Sequence, residues 1–190
     1  SNVTVEQLYN ELVQGCVSHT SLVKEKYTTE YNIIDEEWKK IYELPYKCTI
    51  NNRLRELQFK ILHNYIPLNP FLCKLNKHDS DLCTFCNSEK ETIKHLFWNC
   101  VTVKNFWDQF KDLMFEIYSQ NIELSEKIIL FGFLELGIPY TNCLNYLILL
   151  AKQYIYRERC NSTRPLFKRF FQFVKYYVNL EYLEIGRAHV

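Results

Sequence analysis

The most informative stretch of this 190-residue chain reads Cys83-Thr-Phe-Cys86-Asn-Ser-Glu-Lys-Glu-Thr-Ile-Lys-His95-Leu-Phe-Trp-Asn-Cys100. Three thiols and one imidazole follow the spacing C-x2-C-x8-H-x4-C, a donor set typical of a tetrahedral Cys3His zinc site. Four protein ligands leave no open coordination position, so such a site is structural. We predict one structural Zn²⁺ held by Cys83, Cys86, His95 and Cys100. The alternative, buried or free thiols beside a surface histidine, is disfavoured by the agreement in ligand type and spacing.

The residues between the ligands predict how the second pair is presented. Ser88 followed by Glu91 has the pattern of a capping box, which predicts a short helix carrying His95. Because His95 and Cys100 are five residues apart, they do not face one point on a regular helix. We therefore expect the helix to end near Trp98, with Asn99 as a left-handed terminator that turns Cys100 back towards the metal.

The remaining cysteines and the nearby histidine are not expected to bind metal. His78 belongs to a polar turn and should be exposed, while Cys73 lies on an apolar patch and should pack. Four further cysteines lack metal spacing and are expected to be ordinary thiols: Cys16, Cys48, Cys143 and Cys160.

Catalysis has little support in the sequence. Glycines occur only at positions 15, 132, 137 and 186, so a Gly-rich phosphate loop is not possible. A polymerase or nuclease needs paired acids for Mg²⁺, and the nearest pair, Asp79 and Asp81, lies in an expected loop. The cysteines close to a histidine are taken by the zinc pattern, which leaves no Cys–His nucleophile. We predict no catalytic residue and no small-molecule substrate; a metal-dependent nuclease is the enzymatic alternative.

Composition limits the class of protein. Hydrophobic residues make up 47% and aromatic residues 16% of the chain, enough for a compact core. The net charge of +1 predicts no partner by itself. We find no signal peptide and no apolar run of about 18 residues that would span a bilayer. Because thiols in such proteins are more often ligands or buried groups than disulfides, we expect a reduced, intracellular protein without membrane contact.

The hydrophobic periodicity is helical almost throughout, and it predicts an all-α, irregular multi-helix domain with a small Cys3His zinc-binding turn between helices. Trp38 and Trp107 are expected in the core. The predicted helices are an opening one around Val5, Leu8, Leu12 and Val13, then 33–44 ended by Pro45, 51–65 closed by Pro67, 103–117, 128–136 before the stop signals Gly137 and Pro139, 144–159, and 166–183 with Pro165 in its first turn.

We expect three regions along the chain. Residues 1–48 form an N-terminal helical segment, residues 49–183 a zinc-binding helical domain with its zinc module at 83–100, and residues 184–190 a non-native tail. The tail resembles the translation of a sequencing adaptor and is set aside from the fold. Because the single methionine is Met114, we expect the chain to be a fragment of a longer protein.

Basic residues are concentrated in two segments, 47–77 and 152–175. Each holds one acidic residue, and aromatic residues are interleaved, a composition that could follow a phosphate backbone and stack on bases. A solvated helix face is the plainer reading of either segment alone. Two basic segments framing a zinc window favour nucleic acid, and the predicted contact residues are Arg53, Arg55, Lys60, Lys74 and Lys77.

Several motifs resemble the zinc-binding domain of reverse transcriptases, found in the C-terminal part of LINE-type (non-LTR) retrotransposon polyproteins. The most specific is Glu91-Thr92 followed by His95-Leu-Phe-Trp-x-Cys100, with residues 54–64 and 79–86 before it. Weaker likeness extends to residues 37–42 and 145–157.

The resemblance implies a domain that follows the polymerase, binds one structural zinc and helps to grip template RNA or target DNA during target-primed reverse transcription. It also implies a nuclear location with a cytoplasmic ribonucleoprotein stage. The expected partners are RNA or DNA and the polymerase domain of the parent polyprotein. The alternative is a structural zinc domain that buttresses the polymerase through protein contacts.

Overall fold

The computed structural model describes residues 22–134 and 140–187. Its helices are α1 (22–31), α2 (Asp35–Cys48), α3 (Asn52–Leu62), α4 (Asn69–Lys74), α5 (Val101–Tyr118), α6 (Glu126–Phe131), α7 (Thr141–Cys160) and α8 (Phe167–Arg187). A short π-helix, His95–Asn99, is separated from α5 by Cys100, whose backbone is extended. Within the described ranges β-pairing is limited to an isolated antiparallel bridge between Leu82 and Lys90. The all-α prediction is therefore confirmed.

Helix α7 lies at the centre of the fold. It packs against α2, α3 and α8, and four consecutive residues in its middle are buried: Ile148, Leu149, Leu150 and Ala151. Because successive residues of a helix point in different directions, burial of all four means that α7 is covered on several sides. Over the part of the chain with described coordinates, no helix combines the length and apolar character needed to cross a membrane. The apolar run in α7 is thus a core element.

Two aromatic clusters fill much of the core. Phe131 at the end of α6 meets three rings from α1 and α2 at centroid distances of 5.2 to 5.9 Å: Tyr27, Tyr31 and Trp38. Phe106 of α5 meets three rings from α7 and α8: Tyr154, Phe167 and Phe170. Trp38 and Trp107 are buried, as expected.

The predicted end of α2 at Pro45 is wrong, because the helix continues to Cys48 with Pro45 inside its last turn. Proline removes one backbone donor, yet its own carbonyl still accepts a hydrogen bond from the Thr49 N–H at 3.2 Å. Leu44 and Pro45 are both buried, so packing compensates for the missing bond.

Other helix boundaries also differ from prediction. Helix α3 ends at Leu62, since Asn64 adopts a left-handed conformation with φ 55°. Helix α8 extends past residue 183 to Arg187, into the segment that was set aside as a tail. The helices at 22–31 and 69–74 were not predicted, although Pro70 in the first turn of α4 is a helix-start signal. The opening helix around Val5 and the stop signals Gly137 and Pro139 fall outside the described residues.

Helix α6 is shorter than the predicted 128–136 because Gly132 ends it with φ +87°. A Cβ added to Gly132 would lie 2.5 Å from Cδ1 of Leu44 and 2.9 Å from Oδ1 of Asn145. The Asn145 side chain then holds the next residue, accepting from the Phe133 N–H at 2.8 Å and donating to the Phe133 carbonyl at 3.0 Å. This contact ties the segment that follows α6 to α7.

Candidate metal centre

Cys83 and Cys86 lie in a tight loop that the Leu82–Lys90 bridge closes. The Cys83 N–H donates to the Glu89 carbonyl at 2.7 Å, and the Cys83 carbonyl accepts from the Asn87 N–H at 2.9 Å. Asn87 reverses the chain with φ 51°, a conformation that asparagine tolerates better than most residues. The loop therefore points both sulfurs to the same side, as the C-x2-C spacing predicts.

His95 is presented by a helical turn that begins at Thr92. The Thr92 hydroxyl accepts a hydrogen bond from the His95 N–H at 3.0 Å, and the Thr92 carbonyl accepts from the Leu96 N–H at 2.8 Å. Thr92 is thus the N-cap, and the predicted capping box of Ser88 and Glu91 is wrong. The Ser88 hydroxyl instead donates to the Cys86 carbonyl at 2.9 Å.

Cys100 is brought back to His95 by the π-helix. The Cys100 N–H donates to the His95 carbonyl at 2.8 Å, five residues earlier, which is the hydrogen bond that defines a π turn. Such a turn holds one more residue than an α turn, so residues five apart come onto the same side. The predicted left-handed Asn99 is wrong, since Asn99 is the last residue of the π-helix.

The four predicted ligands converge on one point. One donor atom from each of Cys83, Cys86, His95 and Cys100 lies within 4.8 Å of all the others. The sulfurs of Cys83 and Cys100 are 3.9 Å apart, and the Cys86 sulfur is 3.3 Å from Nε2 of His95. A tetrahedral zinc with ordinary bond lengths requires sulfur–sulfur edges of about 3.8 Å and sulfur–nitrogen edges of about 3.6 Å. These two distances are close to the edges of a Cys3His zinc site.

The environment of the Cys100 sulfur favours its thiolate form. Backbone N–H groups at the start of α5, from Thr102 and Val103, point at the Cys100 sulfur. The Cys83 thiol shares its proton with Cys100, and this hydrogen bond together with those amides lowers the pKa of Cys100 to about 5 although burial opposes it. The same shared proton and burial raise the pKa of Cys83. A cation would replace this shared proton and hold both sulfurs ionised.

The second nitrogen of His95 points away from the cluster. Nδ1 is buried and has no hydrogen-bond partner, although a Glu89 carboxylate oxygen lies 3.3 Å away in a direction unsuited to a hydrogen bond. A carboxylate beside the outer nitrogen of a ligating histidine is a common feature of zinc sites. The arrangement leaves Nε2 free to face the sulfurs.

The sequence matches the family described as zinc-binding in reverse transcriptase over residues 5–107, more than half of the chain. The chain belongs to this family. No curated protein and no solved structure matches it. The chain is therefore a zinc-binding domain of the reverse-transcriptase type, and the Cys3His cluster lies inside the matched region.

The other described cysteines of this zinc-binding domain do not join the cluster, and neither do His78 and Asp81. Among the described residues, no second group of three or more potential ligands converges. Cys73 is half-buried and His78 is exposed, where its Nδ1 lies 2.7 Å from the Ser80 carbonyl. Asp81 pairs with Lys90 at 3.4 Å. Cys16 is outside the described residues.

The zinc window of the domain is tied to α4 and α7 by Glu91, a role that the sequence did not reveal. Its carboxylate accepts hydrogen bonds from the backbone N–H groups of Asn69 and Thr84, both at 3.0 Å. It also accepts two from Arg159 of α7, at 3.0 and 2.6 Å. Burial alone would raise the pKa of Glu91, but these donors hold it below its usual value.

Two basic residues that were counted as part of the second basic segment are buried. Arg159 donates hydrogen bonds to the Glu91 carboxylate, and Lys152 donates to the side-chain carbonyl of Gln58. Neither residue reaches the surface, so that segment offers fewer exposed cations than its sequence predicts.

The five residues predicted to contact nucleic acid differ in whether their side chains already have a partner within the domain. Arg53, Lys74 and Lys77 are exposed, and their side chains have no ion-pair partner among the described residues. Lys60 pairs with Glu56 at 2.6 Å. Arg55 donates to the Thr49 carbonyl at 2.8 Å and lies over the ring of Tyr46.

Proposed function

We propose that the chain is a zinc-stabilised nucleic-acid-binding module of a LINE-type (non-LTR) retrotransposon reverse transcriptase. In this proposal it binds one structural zinc and assists the handling of template RNA or target DNA in target-primed reverse transcription. The family membership supports a zinc-binding role within a reverse transcriptase. A LINE-type element also implies a nuclear location with a cytoplasmic ribonucleoprotein stage.

The observation that carries the zinc part is the closed set of four converging donors. Four protein ligands leave no position for water or substrate, so the metal would hold the loop and the π-helix together. Metal analysis of the purified chain should give one zinc per molecule, and Cys86→Ser should lose most of it. Cys143→Ser, at an exposed cysteine outside the cluster, is the matched control and should keep it. Equal zinc content in both variants would contradict the assignment.

The nucleic-acid part is supported by the exposed cations Arg53, Lys74 and Lys77. Each cation that contacts a phosphate releases counterions, so affinity should fall with rising salt. Arg53→Gln and Lys77→Gln should each reduce the slope of log affinity against log salt by about one. Lys111→Gln is the control, because Asp108 already neutralises Lys111 at 2.8 Å. A flat salt dependence of the unmodified protein would contradict nucleic-acid binding.

The alternative is that the domain buttresses the polymerase through protein contacts. Exposed apolar side chains on α5 and α8 favour it, among them Phe115, Ile117 and Tyr176. Charge reversal at Arg53, Arg55 and Lys60 separates the two proposals. Unchanged nucleic-acid affinity in a folded triple variant would support buttressing.

A further inference from the structure

A groove of about 840 Å³ runs beside the zinc window. Helix α1 forms one wall, and α4 with the loop before it forms the other. Residues 90–94 of the zinc window form the floor. The groove is therefore built partly by the segment that the metal would hold in place.

Two aromatic rings on one wall are open to solvent. Phe71 is 53% exposed and Tyr65 is 44% exposed, and both line the groove. Tyr65 also stacks on His63 at a centroid distance of 6.1 Å, whereas Tyr27 of α1 is buried against Phe131. Exposed rings within a groove offer flat apolar surfaces on which a planar group can stack.

Lysines reach the groove from both walls and from the floor. Lys26 of α1 and Lys74 of α4 are exposed and have no ion-pair partner among the described residues. On the floor, Lys90 is paired with Asp81 at 3.4 Å, and Lys94 with Glu30. Two uncompensated positive charges, one from α1 and one from α4, thus line the groove.

The two acids of the groove do not offset these charges. Glu30 is engaged by Lys94, and the Glu91 carboxylate is buried against Arg159. The groove therefore complements an anionic ligand that also carries flat apolar rings.

We infer that this groove binds single-stranded nucleic acid, with unpaired bases stacked on Phe71 and Tyr65 and phosphates against Lys26 and Lys74. The inference rests on the proposed function and assigns it a site. The bases of a duplex are already stacked on one another, so their faces are not available to the two rings. Stacking on aromatic side chains combined with a basic groove is the usual way in which proteins hold single strands.

The test measures the binding of the zinc-loaded full chain to fluorescein-labelled oligo(dT) and oligo(U) of about 12 nucleotides and to a duplex of the same length, by fluorescence anisotropy. Phe71→Ala should weaken binding of the single strands about tenfold, since a stacked base contributes substantially to affinity. It should leave duplex binding within about twofold, because the duplex does not stack on the ring. Lys26→Gln combined with Lys74→Gln should reduce the salt slope for single strands by about two.

Matched controls come from surfaces outside the groove. Phe115 on α5 is 57% exposed and lines no part of the groove, so Phe115→Ala should leave single-strand affinity unchanged. Lys175→Gln on α8 is the corresponding charge control. Circular dichroism and zinc content verify that each variant is folded.

The outcomes separate this inference from the proposed function. In the first case, the unmodified protein binds nucleic acid with a salt dependence, but Phe71→Ala and the double lysine variant bind single strands with the same affinity as the unmodified protein. The groove assignment is then overturned and the proposed function stands. Equal loss of single-strand and duplex affinity in Phe71→Ala would also overturn it. If the unmodified protein binds no nucleic acid, both fail, and a groove for an acidic protein segment becomes the explanation of the exposed rings and lysines.

Discussion

Arg159 at the end of α7 donates two hydrogen bonds to one carboxylate oxygen of Glu91 in the zinc window, from Nε at 3.0 Å and Nη2 at 2.6 Å. Both side chains are buried, with 7% and 0% of their surface exposed. Glu91 lies between the two ligand pairs, so this contact joins the metal-binding segment to the central helix. It also joins the region matched by the family to a helix outside that match.

Breaking this pair should be strongly destabilising. Arg159→Leu leaves the Glu91 carboxylate buried without its counter-charge, and we expect the free energy of unfolding to fall by about 3–5 kcal/mol. Urea denaturation of the zinc-loaded protein measures the change. Arg164→Leu, at an exposed arginine with no partner among the described residues, should alter stability by less than about 0.5 kcal/mol. Similar losses in the two variants would show that the pair is not specific.

The cap of the histidine turn can be tested against the predicted one. Thr92→Ala removes the hydroxyl that accepts from the His95 N–H, so the unfolding free energy should fall by about 1 kcal/mol. Ser88→Ala should change it by less than about 0.5 kcal/mol, because Ser88 caps no helix. Thermal unfolding of both variants gives the comparison, and a larger effect at Ser88 would restore the capping box.

Lys152 should make stability depend on pH. Burial lowers its pKa to about 7, with Cys48 opposing the shift only in part, whereas in the unfolded chain the pKa is about 10.4. Between these two pKa values Lys152 is protonated in the unfolded chain and neutral in the folded protein, so the free energy of unfolding rises with pH through this window. Below about pH 7 the folded protein also carries the buried charge, and the destabilisation by that charge is then complete. From about pH 7 to about pH 8.5 the contribution should be about 1–2 kcal/mol.

The control for this dependence is Lys152→Met, which keeps most of the length of the side chain without its charge. The difference in unfolding free energy across the same pH range should be smaller in the variant than in the unmodified protein by the same amount. Identical pH profiles would mean that Lys152 stays protonated in the folded state.

Gly132 should not accept a side chain. Gly132→Ala places a Cβ 2.5 Å from Leu44 and gives a positive φ to a residue that disfavours it, so we expect a loss of about 2–4 kcal/mol. Chemical denaturation measures the loss. A change below about 1 kcal/mol would mean that α2 and α7 can separate slightly at this point.

The zinc cluster and the all-α class could be predicted because both depend on local information. The ligand types and the C-x2-C step are readable without a fold, and the helical period of about 3.6 residues reports which faces are buried. Trp38 and Trp107 were placed in the core on that basis, and the structure buries both.

What could not be predicted depends on distant partners. Ser88 and Glu91 have the spacing of a capping box, but the Glu91 carboxylate instead accepts hydrogen bonds from Arg159, 68 residues later in the chain. Charge counting placed Lys152 and Arg159 on a basic surface because it contains no information about Gln58 or Glu91 in the interior. The π-helix has no sequence signature of its own, so the route from His95 to Cys100 was assigned to a left-handed Asn99.

The π turn makes the spacing of the last two donors adjustable. An ordinary α turn would bring residues four apart to the same side, so deleting Asn99 and tightening the turn would keep the imidazole and the thiol together. The number of residues between the histidine and the last cysteine thus depends on whether the connecting turn is α or π. Zinc motifs with four or five residues from one to the other can therefore share the same ligand geometry.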